Sequence, residues 1–584
     1  MTQSEVFTKP AGRLGTWGAA LLAVAASAYC VYRAVSFAWL SDDSFISFRY
    51  ARNLVQGHGL VYNVGEHVEG YTNLLWTLLM AGGMVLGVSP EVAAHVAGLG
   101  FWLLLIGVLG LWSWRGAGQR PFMPLAAVLV LVMGDYQTWA TGGLETSMFA
   151  FLSVAGVLLA CGVDAGKYQM LLAGTLLAAA VGTRPDGVIF AAVGLAASWF
   201  LNPDVSIRRR LALTSSLALP LMVGGATLAA FKLRYYGDLF PTAFYAKSAS
   251  DPYYGQGLFY VGLYLAKNWI ILPLVLFLTF LNFRKRSALL RKTNLILLAA
   301  FFGFVAYVAH SGGDFMFARR LLPAMPFLFL VLEDLLLSIP GRLLQTGILA
   351  FTVLAACFPY PIYPKEPHFI RGIANEPAFY SPPFIDARQA QARVAARALA
   401  GAPVRAVFEA SMCMFGYYSD LPYLAESHGL TQYSLAKKPL TTRGRVGHEK
   451  SVDDQWATEN NIHLIFVYAL PPVPRSEPRR MDEIYFGDTL KARIWIYSDA
   501  VMDRLRDNPA VSFVPIEHTL SSAGREIEQA SYAEAHRVYE FLDRFYFRTA
   551  APEKQRLAEE FKGQVEAKKR VARAVSARLP ESGR

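Results

Sequence analysis

Apolar and polar positions divide the chain into two unlike parts. Between residues 14 and 358, apolar runs follow one another with short polar breaks. A helix crossing the hydrocarbon of a bilayer needs about 20 mostly apolar residues, and about eleven runs approach that length. They cover residues 14–40, 92–114, 122–140, 148–163, two shorter stretches flanking 182–187, then 211–231, 269–283, 295–309, 321–337 and 343–358. Residues 359–584 read differently. Short strand-like runs at 404–408, 463–468 and 491–497 are separated by helical patterns such as 386–399, which predicts a soluble α/β domain. The tail from about residue 531 is charged and helical in pattern, and its last few residues are expected to be disordered. The predicted fold is a polytopic α-helical membrane protein with a C-terminal soluble part, the two joined at residues 358 and 359.

Basic residues orient the membrane part. Arg115, Arg120, Arg208–Arg210, Arg284, Lys285, Arg286, Arg291, Lys292 and Arg342 mark one side, the cytoplasmic one under the positive-inside rule. With Lys9 and Arg13 also inside, the alternation works only if segment 73–86 does not span. That segment is short and ends in Gly87-Val88-Ser89-Pro90, so it reads as a helix lying at the outer surface. The C-terminal part is then extracytoplasmic. The outer side receives segments 42–73, 141–146, 183–186, 232–267 and 310–320, which hold nearly all the unusual polar residues. Polar groups gathered at one face suggest chemistry at the membrane–water boundary. A transporter would place them near mid-membrane, commonly within repeats, and no internal repeat is present in the sequence.

Composition agrees. Of 584 residues, 54% are hydrophobic and only 17% charged, against about 25% charged in soluble domains. The formal net charge of +11 does not indicate nucleic acid, because much of the basic excess lies in loops between apolar runs. Cys30, Cys161, Cys357 and Cys413 show no paired spacing, so neither a disulfide framework nor a zinc site is indicated. The first apolar run is too long for a cleaved signal peptide and reads as a retained helix.

The first outer loop carries the sharpest motif, SDDSFISFRYARNLVQGHGLVYNVGEHVEGYTNLLW. Ser41 is placed to cap a helix starting at Asp42-Asp43, with Ile46, Tyr50 and Leu54 on one face. Carboxylates in a first helical turn are favoured by the helix dipole. They also suit a general base that takes the proton of an attacking sugar hydroxyl. The residues alone leave both readings open.

An acidic pair directly after the first transmembrane helix, followed by an amphipathic juxtamembrane loop, resembles the GT-C superfamily of polyprenyl-phosphate-sugar glycosyltransferases. The further motifs GGLET, RPDG, YYGDLFPTAFYAK, GGDFMFARRLLPAMP and RVGHEK occur in the family's order. They are similar to its mycobacterial terminal arabinofuranosyltransferase branch and to related bacterial flagellar-motor-control membrane proteins. The resemblance covers roughly residues 14–450. It implies a lipid-linked donor, D-arabinofuranose on polyprenyl phosphate, and a glycan or glycoprotein acceptor outside the cytoplasm, reached from a bacterial inner membrane. It implies Asp42 and Asp43 as the catalytic pair, in an order the sequence leaves open. Arg184, Lys247, Arg319 and Arg320 are the expected donor-phosphate ligands, with Pro185 breaking the helix beside Arg184. A direct Arg184–Asp186 pair is not expected. Glu69, Glu145, Asp238, Asp314, His448 and Lys450 are expected to bind substrate. Where the family often has Pro-Gly, this chain has Phe317-Ala318, which questions the backbone shape there. HEK at 448–450 lacks the spacing of a zinc motif, and neither a cofactor nor an essential metal is expected, although Asp42, Asp43 and Asp314 are oxygen ligands of a type hard cations accept. The alternative reading is a non-enzymatic protein of the same fold acting on flagellar motor function or assembly.

Overall fold

The structure, a computed structural model, describes residues 13–117, 123–162, 165–201, 205–282, 291–364, 366–409, 413–467, 481–487, 489–548 and 551–576. Lys9, Arg120, Arg284, Lys285, Arg286 and the expected disordered end at 577–584 lie outside these residues.

Helices dominate the first part. They are α1 (Arg13–Ser36), α2 (Ser44–Val55), α3 (Leu74–Val85), α4 (Pro90–Ala117), α5 (Leu125–Val132), α6 (Gly134–Ala140), α7 (Thr146–Ala160), α8 (Lys167–Thr183), α9 (Val188–Phe200) and α10 (Ile207–Tyr235). There follow α11 (Thr242–Ala246), α12 (Tyr254–Lys267), α13 (Ile271–Asn282), α14 (Lys292–His310), α15 (Met325–Leu337) and α16 (Arg342–Cys357). Each predicted apolar run holds a helix or a broken helix pair. Among the described residues, three helices are long and apolar enough to cross a membrane by themselves, or up to four if the pair α12–α13, bent by 81°, counts as one span. The rest are shorter. Pro124 precedes α5, Met133 takes an extended conformation between α5 and α6, and a 3-10 turn at Pro185–Gly187 separates α8 from α9. Segment 232–267, read from sequence as an outer loop, contains α11 and α12 instead.

Small residues let the helices approach closely. A Cβ on Gly174 of α8 would stand 2.1 Å from the Leu217 carbonyl of α10, and one on Gly257 of α12 would stand 2.0 Å from the Ala309 carbonyl of α14. Phe149, Phe190, Phe304 and Phe327 fill the space between α7, α9, α14 and α15. Helix α3 has 12 residues, about 18 Å at 1.5 Å per residue, short of a bilayer's hydrocarbon. It packs against α2, α4 and α8.

After α16, β1 (Phe369–Ile370) and β2 (Ile373–Ala374) form a small antiparallel hairpin. A six-stranded sheet follows, in the order β4-β3-β5-β7-β6-β8. Its strands are β3 (Arg405–Phe408), β4 (Tyr423–Glu426), β5 (Leu464–Phe466), β6 (Glu483–Phe486), β7 (Leu490–Ile494) and β8 (Val511–Phe513). The first three in that order are mutually parallel and the remainder pair antiparallel. Helices α17 (Pro382–Ala398), α18 (Cys413–Ser419), α19 (Tyr433–Ala436), α20 (Asp454–Glu459), α21 (Asp499–Arg506), α22 (Ile516–Gln529), α23 (Tyr532–Leu542) and α24 (Pro552–Ser576) complete the chain.

The sheet region is fastened to the first outer loop. Buried Arg49 of α2 donates to the carbonyls of Gly416 and Leu421, each at 2.7 Å, and to Tyr62 at 2.8 Å. Asn63 bridges to Leu424 at both its carbonyl and its amide. Ala374 of β2 exchanges backbone bonds with Phe315 and Phe317 of the GGDFMFARR loop.

Candidate active site

Helix α2 does not begin as expected. Its N-cap is Asp43, whose side chain makes no capping bond, and Ser41 contributes only its carbonyl, to Ser44. The expected Ser41 cap is therefore absent, and the two aspartates are left to diverge. Asp42 is buried and turned toward the sheet region. Its Oδ2 accepts the amide of Cys413 at 2.8 Å and its Oδ1 that of Met414 at 2.9 Å, at the start of α18. Burial pushes its carboxyl up to about 7 despite those two donors. Asp43 lines a cavity of about 380 Å³ between the helical part and the sheet region. Among the described residues its carboxylate has no hydrogen-bonding or ion-pairing partner. Burial raises it above the usual carboxylate range, while Arg319 and Lys247 pull it back down.

One wall of the cavity is an ionic lattice. Glu145, fully buried at the start of α7, accepts from Asn73 at 2.9 Å, Arg184 at 3.0 Å and Arg319 at 2.9 Å. Burial alone would raise its carboxyl, but the two guanidiniums and the Asn73 amide outweigh it and bring it down to about 2. Gly143 makes this placement possible: its φ is +79°, and a Cβ there would press to 2.7 Å from Leu40. Arg184 also pairs with Asp186 at 3.0 and 2.8 Å. That direct contact corrects the sequence expectation. Gly187 continues the 3-10 turn, which folds the Asp186 carboxylate back onto its neighbour two residues earlier.

The GGDFMFARR loop supplies the opposite charges. Arg320 donates to Ser311 and to the Gly313 carbonyl, each at 2.8 Å, and lies 3.8 Å from Asp186. Asp314 stands 3.8 Å from Lys247 and accepts its own loop's Phe315 amide. Burial favours a neutral Asp314, but Lys247, Arg319 and Arg320 hold it below the usual range. Ala318 answers the departure from the family pattern: it adopts the left-handed φ of +65° that a glycine would occupy freely. Four cations, Arg184, Lys247, Arg319 and Arg320, thus meet three carboxylates, Glu145, Asp186 and Asp314, before Asp43 is counted. Among the described residues, the Nε atoms of Arg319 and Arg320 are buried with no hydrogen-bond partner.

His448 also lines the cavity, packed edge-on against Phe315 and tilted against His428. Burial, with Arg445 nearby, pushes its imidazole far below the usual range, so it stays neutral. Three expected substrate ligands do not reach the cavity. Glu69 is buried and pairs through Oε1 with Lys232 at 2.8 Å. Asp238 is occupied by Tyr245 and Lys437. Lys450 donates to the carbonyls of Tyr245 and Ala436 and so anchors α11 to α19. Their polarity was legible in sequence; their partners were not. Further residues that reach the site include Asn73, Glu426 and His428. The signal for the last two was the run LPYLAESHGL, a strand ending in an acid just before a glycine turn. Among the described residues, no group of three or more His, Cys, Asp or Glu side chains is arranged to hold a metal ion.

No family model matches this chain. The chain is 31% identical to the terminal β-(1→2)-arabinofuranosyltransferase of Mycobacterium tuberculosis over 326 residues, 49% of this chain and 50% of that protein. To the protein of the same name from Corynebacterium glutamicum it is 28% identical over 339 residues, 52% of this chain and 48% of that protein. The chain resembles the terminal arabinofuranosyltransferases. It spans about half the length of these curated relatives. In fold it is similar to ArnT from Cupriavidus metallidurans in the apo state, with a TM-score of 0.51 at 12% identity, over 82% of this chain and 98% of that one. The crystal structure of the same ArnT bound to undecaprenyl phosphate gives a TM-score of 0.48 at 13% identity, over 77% and 92% of the two chains. The resemblance to the terminal arabinofuranosyltransferases read from the motifs stands, and the chain is a polytopic helical membrane protein whose fold is similar to that of ArnT.

Proposed function

We propose that this protein is a membrane glycosyltransferase that moves a sugar, D-arabinofuranose, from a polyprenyl-phosphate donor to an acceptor hydroxyl outside the cytoplasm. One observation carries the reading. Asp43 is the member of the acidic pair that lines the cavity with its carboxylate unengaged, facing the field of Arg319 and Lys247, while Asp42 is consumed by two backbone amides.

In this mechanism Asp43 accepts the proton of the acceptor hydroxyl as its oxygen attacks the anomeric carbon of the donor. The bond from that carbon to the phosphate oxygen breaks, and polyprenyl phosphate leaves. Arg319, Arg320 and Lys247 lie where the leaving phosphate gathers charge, with Arg184 behind them, and preformed cations of this kind act most strongly on charge that develops in the transition state. The ionic lattice matters because it holds the guanidiniums in place before substrate arrives. A cavity of about 380 Å³ falls in the range of small-ligand sites. Val188, Ile189, Phe240 and Phe244 form its apolar flank, which suits the first isoprene units of the lipid. The location of the chemistry at the outer face of a bacterial inner membrane, with the sheet region extracytoplasmic, is part of the same proposal.

The test is to incubate the purified protein with a panel of synthetic polyprenyl-phosphate sugars and candidate glycan acceptors, and to follow release of polyprenyl phosphate. Consumption of the arabinofuranosyl donor, lost in Asp43→Asn, is the expected result. A well-folded sample that consumes none of the donors would overturn the reading.

A further inference from the structure

A second cavity opens beside the hairpin of β1 and β2, where Tyr253, Gln256, Arg371, Gly372, Gly444 and Arg445 line a space of about 510 Å³. It shares no lining residue with the cavity that holds Asp43.

The turn that carries Arg371 is strained. Ile370 pairs with Ile373, so Arg371 and Gly372 form a two-residue turn, with φ of +47° and +76°. Such a turn ordinarily takes Asn, Asp or Gly at its first position, and an arginine resists that backbone. Strain that persists points to a role for the side chain. Gln256 of α12 fixes the turn by donating to the Arg371 carbonyl at 2.8 Å. Gly372 lets the turn sit directly on Arg445: a Cβ there would lie 3.1 Å from the Arg445 side chain.

Neither guanidinium makes a hydrogen bond among the described residues. Aromatic rings hold them instead. Arg371 lies over Phe259 at 4.5 Å, and Arg445 lies 4.9 Å from the ring centre of Phe315 and 4.6 Å from that of Phe369. Contacts of this kind position a guanidinium but give its N–H donors no acceptor. Glu376 stands 3.9 Å from Arg445, beyond hydrogen-bond range. Burial, with Asp43 nearby, pushes the Glu376 carboxyl up to about 8, so it keeps its proton at neutral pH and leaves the Arg445 charge uncompensated. Arg371 is exposed and Arg445 keeps 30% of its side-chain surface, so an anion in the cavity reaches both. Of the Arg445 donors only Nε is sealed, which leaves the two terminal nitrogens for a ligand.

The cavity stands at the level of the bilayer surface. Helix α13 presents Leu272, Leu276 and Phe280 outward, as a lipid-facing helix does, and α12 departs from it by 81°. Helix α12 therefore runs nearly along the plane of the bilayer, with Tyr254 and Leu258 outward. Exposed Trp269 at the bend and exposed Phe369 beside the strained turn are aromatic anchors of the kind that settle among headgroups. We propose that this cavity binds the headgroup phosphate of an anionic phospholipid from the adjoining leaflet, with Arg371 and Arg445 as its donors and the acyl chains lying along Leu258. Paired guanidiniums suit the oxygens of a phosphate, and the apolar face of α12 suits the chains. Such a site depends on the membrane placement of α12 and not on sugar transfer.

Native mass spectrometry of the full-length protein in detergent measures this binding. Wild type, Arg371→Gly and Arg445→Gln are each titrated with dioleoyl phosphatidylglycerol, with dioleoylglycerol, which lacks the phosphate, and with glycerophosphoglycerol, which lacks the chains. Arg371→Gly removes the guanidinium and relieves the turn, so it is expected to melt no lower than wild type. It is expected to bind phosphatidylglycerol about fivefold more weakly or worse, and Arg445→Gln to a similar extent. Should Arg445→Gln melt lower, Arg371→Gly decides. Dioleoylglycerol is expected to bind all three proteins alike, and glycerophosphoglycerol to bind wild type about tenfold more weakly than the lipid or worse. Equal phosphatidylglycerol affinity of wild type and Arg371→Gly, or dioleoylglycerol held by wild type as tightly as phosphatidylglycerol, would overturn the proposal. Glycerophosphoglycerol held as tightly as the lipid would overturn it too, by showing a site for soluble phosphates.

Discussion

The carboxylate of Asp42 accepts the amide of Met414 at 2.9 Å, a contact across 372 positions of sequence. Together with the Cys413 amide it fastens the end of the first outer loop to the start of α18. Its neighbour Asp43 is left to the cavity. Conservative variants of the pair should therefore behave differently. Asp43→Asn keeps shape and removes the proposed base, and turnover is expected to fall by about 10²-fold or more. Asp42→Asn has one acceptor oxygen for two amides, and an unsatisfied buried donor costs about 1–3 kcal/mol. Its thermal midpoint should drop while measurable turnover remains. Parallel melting and donor-consumption assays separate the two, and equal loss of turnover in both would contradict the division.

The pair should also divide the pH response. Burial raises Asp43 above the usual carboxylate range, and as the proposed base it must be ionised to work. The acid limb of kcat/KM is thus expected to have its midpoint above the value of about 4 of a free aspartate, and to persist in Asp42→Asn. Asp42 itself, pushed up to about 7 from an ordinary 3.8, keeps a proton in the folded protein that the unfolded chain has already released. Between those values the folded state binds more protons, so the contribution of Asp42 to stability declines as pH rises and is lost above about 7. Melting curves of wild type and Asp42→Asn should converge over that window.

Glu145 carries the largest structural burden in the ionic lattice. Among the described residues, removing its carboxylate leaves Arg184 paired with Asp186 alone and Arg319 with no carboxylate at hydrogen-bond range. Breaking a buried ion pair on one side costs about 3–5 kcal/mol. Glu145→Ala is expected to melt at markedly lower temperature and to show a raised KM for the lipid donor. Wild-type melting and wild-type KM would show the lattice to be dispensable.

Ala318 tests the backbone of the arginine loop. Its φ of +65° is tolerated by alanine and is far worse for a β-branched side chain. Ala318→Val should destabilise the protein by about 2 kcal/mol, whereas Ala318→Gly should fold at least as well as wild type. Donor KM should rise in the valine variant, because Arg319 and Arg320 follow directly. Normal melting of the valine variant would mean the loop takes another conformation.

The membrane character of the chain was legible from apolar periodicity alone, because a bilayer imposes length and composition on a helix whatever it packs against. The strands at β3, β5 and β7 were legible for a similar local reason. Cavity-lining residues with unusual neighbours, such as Asp43, Glu145, Arg184 and the Arg319-Arg320 pair, were also visible, since charge beside an apolar run is costly and so rarely idle. What could not be read was which partner each charge would find. Asp238 and Lys450 looked as reactive as Asp314, but Asp238 is taken by Lys437 and Lys450 by two carbonyls. Glu426 and His428 drew no reading in the sequence; β4, which ends in Glu426, sets them beside the first outer loop. Asp42 and Asp43 show the division most plainly. The sequence by itself determined that two carboxylates follow the first helix. Only the docking of α18, hundreds of residues later, decided that one of them would be spent on backbone amides and the other left open to the cavity, because hydrogen-bond satisfaction is settled by neighbours in space.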